Sequence, residues 1–309
     1  MAPPEGTRIG AVEIDLGAYR GEDRYSDGDV ENTLLDFVRR GLTFEEAIAE
    51  DDSWPVIYHL SPVRENLLSW YPVSRSASVL EVGAGCGAVT GVLCQNAGSV
   101  VAVELSKRRA EILATRHQSC ENLRVVVGNL GDVSVQRRYD VVTLIGVLEY
   151  AGQYTEGLNP YLEFLRTTRR FLAPGGRLLV AIENRFGLKY WAGAPEDHTS
   201  LHFDGIEGYQ RGRQARTFSR KTLIDVVRLA GFRVEECYYP MPDYKMPIQI
   251  FSDSAPPGRG DIEMHYPEFH QARFHLFDES AALDSIVDAG QFPFFANSFL
   301  LECSVEAGQ

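Results

Sequence analysis

The sequence is short of positive charge: 30 Lys and Arg stand against 43 Asp and Glu, a formal net charge of −13. Binding along a phosphate backbone needs a basic face that releases counterions, so nucleic acid is not an expected partner. Cysteine is scarce as well. Cys86, Cys94, Cys120, Cys237 and Cys303 are odd in number and widely spaced, and the absence of any C-x-x-C excludes a zinc knuckle or a thioredoxin-like pair. No stretch of about 18 uncharged apolar residues occurs, so no membrane insertion is expected. The opening Met-Ala-Pro-Pro-Glu-Gly lacks the basic and apolar regions of a signal peptide, and the expectation is a cytoplasmic protein.

What is present is an ordinary globular balance: 44% hydrophobic and 24% charged residues in a chain of 309, enough for one large domain or two modest ones. Residues 1–28 are polar and rich in Gly and Asp, which predicts a loosely held arm. Asp29 to Arg40 then reads as a helix, with Leu34, Leu35 and Val38 on one stripe and Gly41 as its stop. Thr43-Phe-Glu-Glu46 is a capping-box pattern, and Ser61-Pro62 opens a third helix that runs to Trp70. Residues 1–75 are therefore expected to form a helical N-terminal arm or lid.

From Ser78 the period changes. Ser78–Val82, Ser99–Glu104, Leu123–Val127, Tyr139–Ile145 and Gly176–Ile182 are short β-branched runs separated by helical stretches such as Ser106–His117 and Tyr161–Phe171. Apolar strands alternating with helices predict an α/β fold, a Rossmann-like, doubly wound parallel sheet over residues 76–309. A helix at Ser219–Ala230 feeds a strand at Arg233–Tyr239, and Phe294–Cys303 supplies a last strand. Residues 240–291 between them have weak periodicity and read as a long insertion, either functional or poorly ordered.

The first strand ends in Glu81-Val-Gly-Ala-Gly-Cys-Gly87-Ala88. Glycines after a strand let the backbone turn sharply and approach a ligand beside a helix N-terminus. Gly83, Gly85 and Ala88 also satisfy the dinucleotide pattern G-x-G-x-x-A. Two details favour S-adenosylmethionine over NAD. The close spacing of Gly83, Gly85 and Gly87 is one, and Glu81, which would repel a pyrophosphate but suits a cationic amino-acid end, is the other. Glu104 ends the second strand and suits a ribose diol in either cofactor.

Glu81–Gly87, Val101-Ala-Val-Glu104-Leu105-Ser, Gly128-Asn129-Leu130, Tyr139-Asp-Val-Val with Gly146-Val-Leu-Glu149-Tyr150, and Leu172-Ala-Pro-Gly-Gly176 resemble the successive cofactor motifs of class I S-adenosylmethionine-dependent methyltransferases. The resemblance implies a seven-stranded sheet of order 3-2-1-4-5-7-6 whose last strand is antiparallel. It implies a cofactor site of Glu81, Gly83, Gly85, Gly87, Glu104, Leu105, Asn129, Leu130 and Gly146. Asn129 stands where Asp is common, and Tyr150 where many members have His. Trp54–Pro72 and Ile182–His198 resemble a bacterial methyltransferase subgroup encoded among glycosyltransferases. That second resemblance implies a sugar or other hydroxylated small molecule as acceptor.

Methyl transfer to a hydroxyl needs positioning and a base. Tyr150, Glu149, Glu183 and Asn184 follow strand ends, where ligands of open α/β sheets bind. His198 is the expected base, with Asp197 as its orienting partner. Histidines at 198 and 202 also have the i,i+4 spacing of metal ligands, so a divalent cation is open but not favoured, and the stretch can equally be a structural loop. Arg64 and Tyr58 are expected over the cofactor if the N-terminal helices form a lid. The aromatics of the later region fit a core, an acceptor pocket or a homodimer interface. The rival readings are an N-methyltransferase, a cofactor-binding scaffold, another use of the sulfonium, and an NAD oxidoreductase.

Overall fold

The computed structural model describes residues 7–23, 26–210, 215–263 and 273–305. The chain divides into two compact units: Met1–Thr143 with Arg170–Gly176, and Leu144–Arg169 with Arg177–Gln309.

The first unit opens with β1 (Thr7–Ile9) and β2 (Val12–Ala18), followed by helices α1 (Val30–Arg40), α2 (Phe44–Glu50) and α3 (Trp54–Leu60). Then come β3 (Ser78–Val82), α4 (Thr90–Asn96), β4 (Ser99–Glu104), α5 (Lys107–Arg116), β5 (Leu123–Gly128) and the strand β6 (Tyr139–Ile145). β3 pairs parallel with β4, and β4 with β5. Val79, Leu80, Val100, Val103, Val125 and Val127 are all buried, the pattern of strands covered on both faces.

The loosely held arm expected at 1–28 is corrected for the described residues. β1 and β2 form an antiparallel hairpin, and β2 lies parallel to β5 with Ile14 opposite Val125. The reason is a period-2 pattern hidden in a polar stretch. Val12 and Ile14 are buried, whereas Glu13 and Asp15 reach Arg124 at 3.3 and 2.9 Å. Residues 1–6 lie outside the described residues.

Helix α1 follows the stripe that the sequence shows. Leu34, Leu35 and Phe37 pack with Ala47 of α2, Val56 of α3, Cys86 and Ile112 of α5 in one buried cluster. Gly41 ends α1 with a φ of 69°, a conformation that L side chains resist. The capping box of α2 is complete: Thr43 Oγ1 accepts the Glu46 N–H and the Glu46 carboxylate accepts the Thr43 N–H. The third helix expected from Ser61-Pro62 to Trp70 is corrected: Pro62–Leu67 forms a 3-10 turn, and α3, with Pro55 in its first turn, is an additional helix before it.

The second unit contains α6 (Ala151–Tyr154), α7 (Pro160–Arg169), β7 (Leu172–Glu183), α8 (Leu188–Trp191), α9 (Asp204–Glu207) and α10 (Arg220–Leu229). It continues with β8 (Phe232–Met241), β9 (Gln249–Ser252), α11 (Glu279–Asp288), α12 (Phe292–Phe295) and β10 (Ser298–Val305). β10 runs antiparallel to both β7 and β8, as expected for the last strand. The 240–291 stretch holds β9 and α11, and its residues 264–272 lie outside the described residues.

Among the described residues ten strands are ordered β1-β2-β5-β4-β3-β6-β7-β10-β8-β9 in one mixed sheet. This corrects the expected count of seven: β1, β2 and β9 are additional, and the seven expected strands keep their neighbour order between them. No helix among the described residues is long and apolar enough to cross a membrane.

Because Leu34 is fully buried at the centre of the helical cluster, Leu34→Ala is expected to remove about 2–5 kcal/mol of unfolding free energy. A urea melt of the variant against wild type measures it.

Candidate active site

In the first unit the glycine loop leaves β3 with three left-handed residues, Gly83, Gly85 and Gly87, at φ of 70°, 56° and 80°. Gly83 and Ala84 donate their N–H groups to the Val103 carbonyl, which pins the loop to β4. A side chain on Gly85 would meet nothing within 4 Å, so the loop presents bare backbone to open space there. A Cβ on Gly87 would meet the His117 ring at 2.9 Å.

Glu104, at the end of β4, is buried and accepts the Gly85 N–H at 2.7 Å on Oε2 and the Ser106 N–H at 2.8 Å on Oε1. Burial raises its pKa, and Arg109 and the backbone N–H groups act against that rise. Each oxygen keeps a second lone pair for a ligand hydroxyl. Glu81 is also buried, and Thr90 donates to its Oε2 at 2.7 Å. Burial pushes Glu81 up to about 8, with Thr90 and Arg64 opposing and Glu104 adding to the rise. Glu81 therefore anchors the start of α4.

Arg64 and Tyr58 are brought together, the guanidinium 4.0 Å above the ring. Leu130 is buried beside Asn129, whose Oδ1 accepts the Gly131 N–H at 2.9 Å. Leu105 is half-buried on the chain between Glu104 and α5.

Sequence reasoning missed the residues that hold this loop. His117 follows the last turn of α5, and its Nε2 donates to the Gly87 carbonyl at 2.8 Å, while burial, with Arg116 beside it, lowers its pKa to about 4. Asp23 accepts the N–H groups of Lys107 at 2.7 Å and Arg108 at 3.3 Å, capping α5. Arg109 of α5 binds Asp27 and Glu31, the latter at 2.9 Å, and His59 meets Asp27 at 2.9 Å. None of these partners is near in sequence, and only the acidic bias of residues 22–31 signals them.

The second unit gathers Glu149, Glu183 and His198, whose potential ligand atoms lie within 4.8 Å of one another. Glu196, not Asp197, orients His198. Glu196 Oε1 accepts His198 Nδ1–H at 3.1 Å and Tyr209 O–H at 3.1 Å, and its Oε2 accepts the N–H groups of His198 and Thr199 at 2.8 and 2.7 Å. Burial works against the Glu196 charge, but His198 and these N–H groups outweigh it and hold the pKa below the usual value. With Nδ1–H committed to Glu196, Nε2 faces Glu149 Oε1 at 3.9 Å. Burial disfavours the imidazolium, yet Glu183, Glu196 and Glu149 together push His198 up to about 9. The Tyr150 ring stands edge-on to His198, centroids 5.4 Å apart.

Asp197 belongs to a neighbouring network. It accepts Lys189 at 2.7 Å and Tyr190 O–H at 2.5 Å and meets Lys245 at 3.4 Å. Lys189 also bonds Asp243 at 2.7 Å, and Lys245 bonds Glu183 at 2.6 Å. Asn184 is fully buried and spent on structure: its Nδ2 donates to the Phe294 and Ala296 carbonyls at 2.7 and 2.8 Å, and its Oδ1 accepts the Phe186 N–H. It does not face an acceptor. His202 is exposed and bridges Pro195 across a turn, so the helical spacing with His198 does not arise. Gly146, at φ 70°, is required because a Cβ would meet the Tyr244 hydroxyl at 2.8 Å. Lys245, Tyr244 and Asp243 went unnoticed because they lie about 60 residues from Glu183 in a stretch without periodicity.

Residues 80–178 match the family model described as a methyltransferase domain. Over those residues the chain is similar to that family. The chain is 29% identical over 103 residues to ribosomal RNA small subunit methyltransferase A of Streptococcus uberis, covering 33% of this chain and 33% of that protein. The chain thus spans about a third of the length of the curated relatives it matches. Among solved structures it resembles a chain of the Haloferax volcanii complex between the Trm112 methyltransferase activator and a protein assigned as a methyltransferase. That likeness has a TM-score of 0.52 at 15% identity, over 91% of this chain and 99% of the other. The CcbJ methyltransferase of Streptomyces caelestis is similar at 17% identity and a TM-score of 0.49, over 92% and 100%. The matched residues include the glycine loop, Glu104 and Glu149, whereas Glu183 and His198 lie beyond them.

The His198 cluster makes stability depend on pH. A histidine raised in the folded state contributes stability fully present below its unfolded pKa of about 6.5 and lost as pH rises through about 9. Wild type is expected to lose roughly 1–3 kcal/mol across that window. Thermal melts of His198→Gln should be flatter there.

Proposed function

We propose that the chain is an S-adenosylmethionine-dependent methyltransferase that O-methylates a hydroxyl of a sugar or glycosylated small molecule. The observation that carries the reading is His198, buried, held through Nδ1 by Glu196, and presenting Nε2 beside Glu149. An acceptor hydroxyl needs such a base and an amine acceptor does not.

The first unit fits the cofactor. Gly83 and Gly85 offer bare left-handed backbone, and Glu104 retains acceptor capacity for the two ribose hydroxyls. Asn129 and Leu130 are assigned to the adenine, and Arg64 with Tyr58 to the amino-acid end, where a guanidinium pairs with a carboxylate. When bound, S-adenosylmethionine supplies a methyl group on a positive sulfur, which is left neutral once the methyl is on the acceptor oxygen. His198 Nε2 takes the hydroxyl proton and becomes the second donor of an imidazolium whose first, Nδ1–H, already rests on Glu196. Glu149, Glu183 and Glu196 stabilise that imidazolium, so the cluster favours the protonated product of the step.

The acceptor class rests on the resemblance of Trp54–Pro72 and Ile182–His198 to methyltransferases of glycosylation pathways. The likeness to a ribosomal RNA methyltransferase covers 103 residues only, and a net charge of −13 opposes RNA binding.

Calorimetric titration with S-adenosylmethionine, S-adenosylhomocysteine and NAD tests the cofactor. Binding of the first two is expected, and binding of NAD alone would sink the reading. Glu104→Ala should weaken S-adenosylmethionine about tenfold or more, since the ribose loses a charged acceptor. His198→Ala should lower kcat by roughly 10²–10⁴ while leaving cofactor affinity unchanged. Since the base must be unprotonated, wild-type kcat/KM is expected to rise with pH and level off above about 9.

A further inference from the structure

Two buried oxygens are left over when the hydrogen bonds of the His198 cluster are assigned. Glu149 and Glu183 are 1% and 0% exposed, and Oε2 of each has no hydrogen-bond partner among the described residues. Their other oxygens are occupied or faced: Glu183 Oε1 takes Lys245 at 2.6 Å and Tyr244 O–H at 3.4 Å, and Glu149 Oε1 faces His198 Nε2 at 3.9 Å. A buried acceptor without a donor is a standing cost, and stability alone gives no reason to keep two of them side by side. The ligand atoms of both carboxylates and the imidazole lie within 4.8 Å of one another.

We infer that Glu149 and Glu183 are acceptor-binding residues whose Oε2 atoms each share a hydrogen bond with one of two neighbouring hydroxyls, so that the acceptor is a vicinal diol with one hydroxyl facing His198 Nε2. This rests on the reading of His198 as the base of an O-methyl transfer, and it adds which groups the acceptor must carry. Charge separates a diol from a cation. The anions Glu183, Glu196, Asp197 and Asp243 are met by Lys189, Lys245 and His198. Burial, together with Glu183, pushes Glu149 up to about 8, so near neutral pH it holds a proton. An ammonium or metal ion arriving here meets Lys245 and the His198 imidazolium. A hydroxyl adds no charge, donates to a carboxylate oxygen and accepts from a protonated one. A site built around such a donor rejects the analogue that lacks it, because its own acceptor is then left buried and unpaired.

The test is calorimetry on the full chain saturated with S-adenosylhomocysteine. The probes are the methyl α-D-glycosides of glucose, mannose and galactose, their 2-deoxy and 3-deoxy analogues, and manganese chloride. Saturable binding of at least one glycoside is expected, weakened about tenfold or more by removal of one of two adjacent hydroxyls. A similar loss is expected in Glu149→Leu and Glu183→Gln, each first shown to bind S-adenosylhomocysteine as wild type does. The deoxy comparison in wild type stands even where a variant does not fold. S-adenosylhomocysteine binding with no glycoside bound overturns the diol assignment and leaves the cofactor reading intact. Equal affinity for parent and deoxy glycosides overturns it as well. Manganese binding that Glu149→Leu abolishes overturns it by giving the two oxygens to a cation. Failure of S-adenosylhomocysteine to bind overturns the methyl-transfer reading, and this inference with it.

Discussion

The first unit depends on one buried carboxylate. Glu104 ties the glycine loop to the start of α5 by accepting from Gly85 on one oxygen and Ser106 on the other. A charge that far from water is tolerated only because those N–H groups and Arg109 surround it. Arg109 in turn requires Asp27 and Glu31, and the same α5 terminus is capped by Asp23. The N-terminal stretch is thereby bound to the element that sets the loop. His117 fixes the far end of that loop from the other end of α5. One helix therefore carries the restraints on both the carboxylate and the glycines, and a ligand meets a backbone already in place.

In the second unit the governing fact is compensation among buried charges. Lys189 and Lys245 are held by Asp197, Asp243 and Glu183, so the lysines neutralise part of a carboxylate-rich site. The residual negative potential falls on His198 and makes it basic. Desolvation of this many ions is costly, and a well-packed apolar core of the same volume would be more stable.

Much of this was legible beforehand, and the misses have physical causes. Strands β3 to β6 announced themselves because a strand buried on both faces must be apolar throughout. The α2 capping box and the Gly41 stop are local chemistry, complete within four residues or so. β2 was overlooked because a strand so short of apolar residues shows only Val12 and Ile14 buried among acidic and glycine residues. Asp197 and Glu196 are adjacent, and no sequence rule says which of two carboxylates meets the next histidine. The turn does, through the Glu196 N–H to Leu201 carbonyl bond at 3.0 Å. Asn184 looked like a polar group at a strand end, but the backbone of Phe294 and Ala296 claims it.

The sequence by itself determined the periodicities, the positions that must be glycine, and the carboxylates placed at strand ends, because each depends on steric and hydrogen-bonding rules that act over a few residues. Tertiary structure alone decided who partners whom among the charges. Lys245 reaches Glu183, Arg109 reaches Glu31, and His117 reaches Gly87 across 62, 78 and 30 positions of chain. The pKa of a buried group follows the same rule, set by the charges and dipoles around it: Glu183 raises both Glu149 and His198.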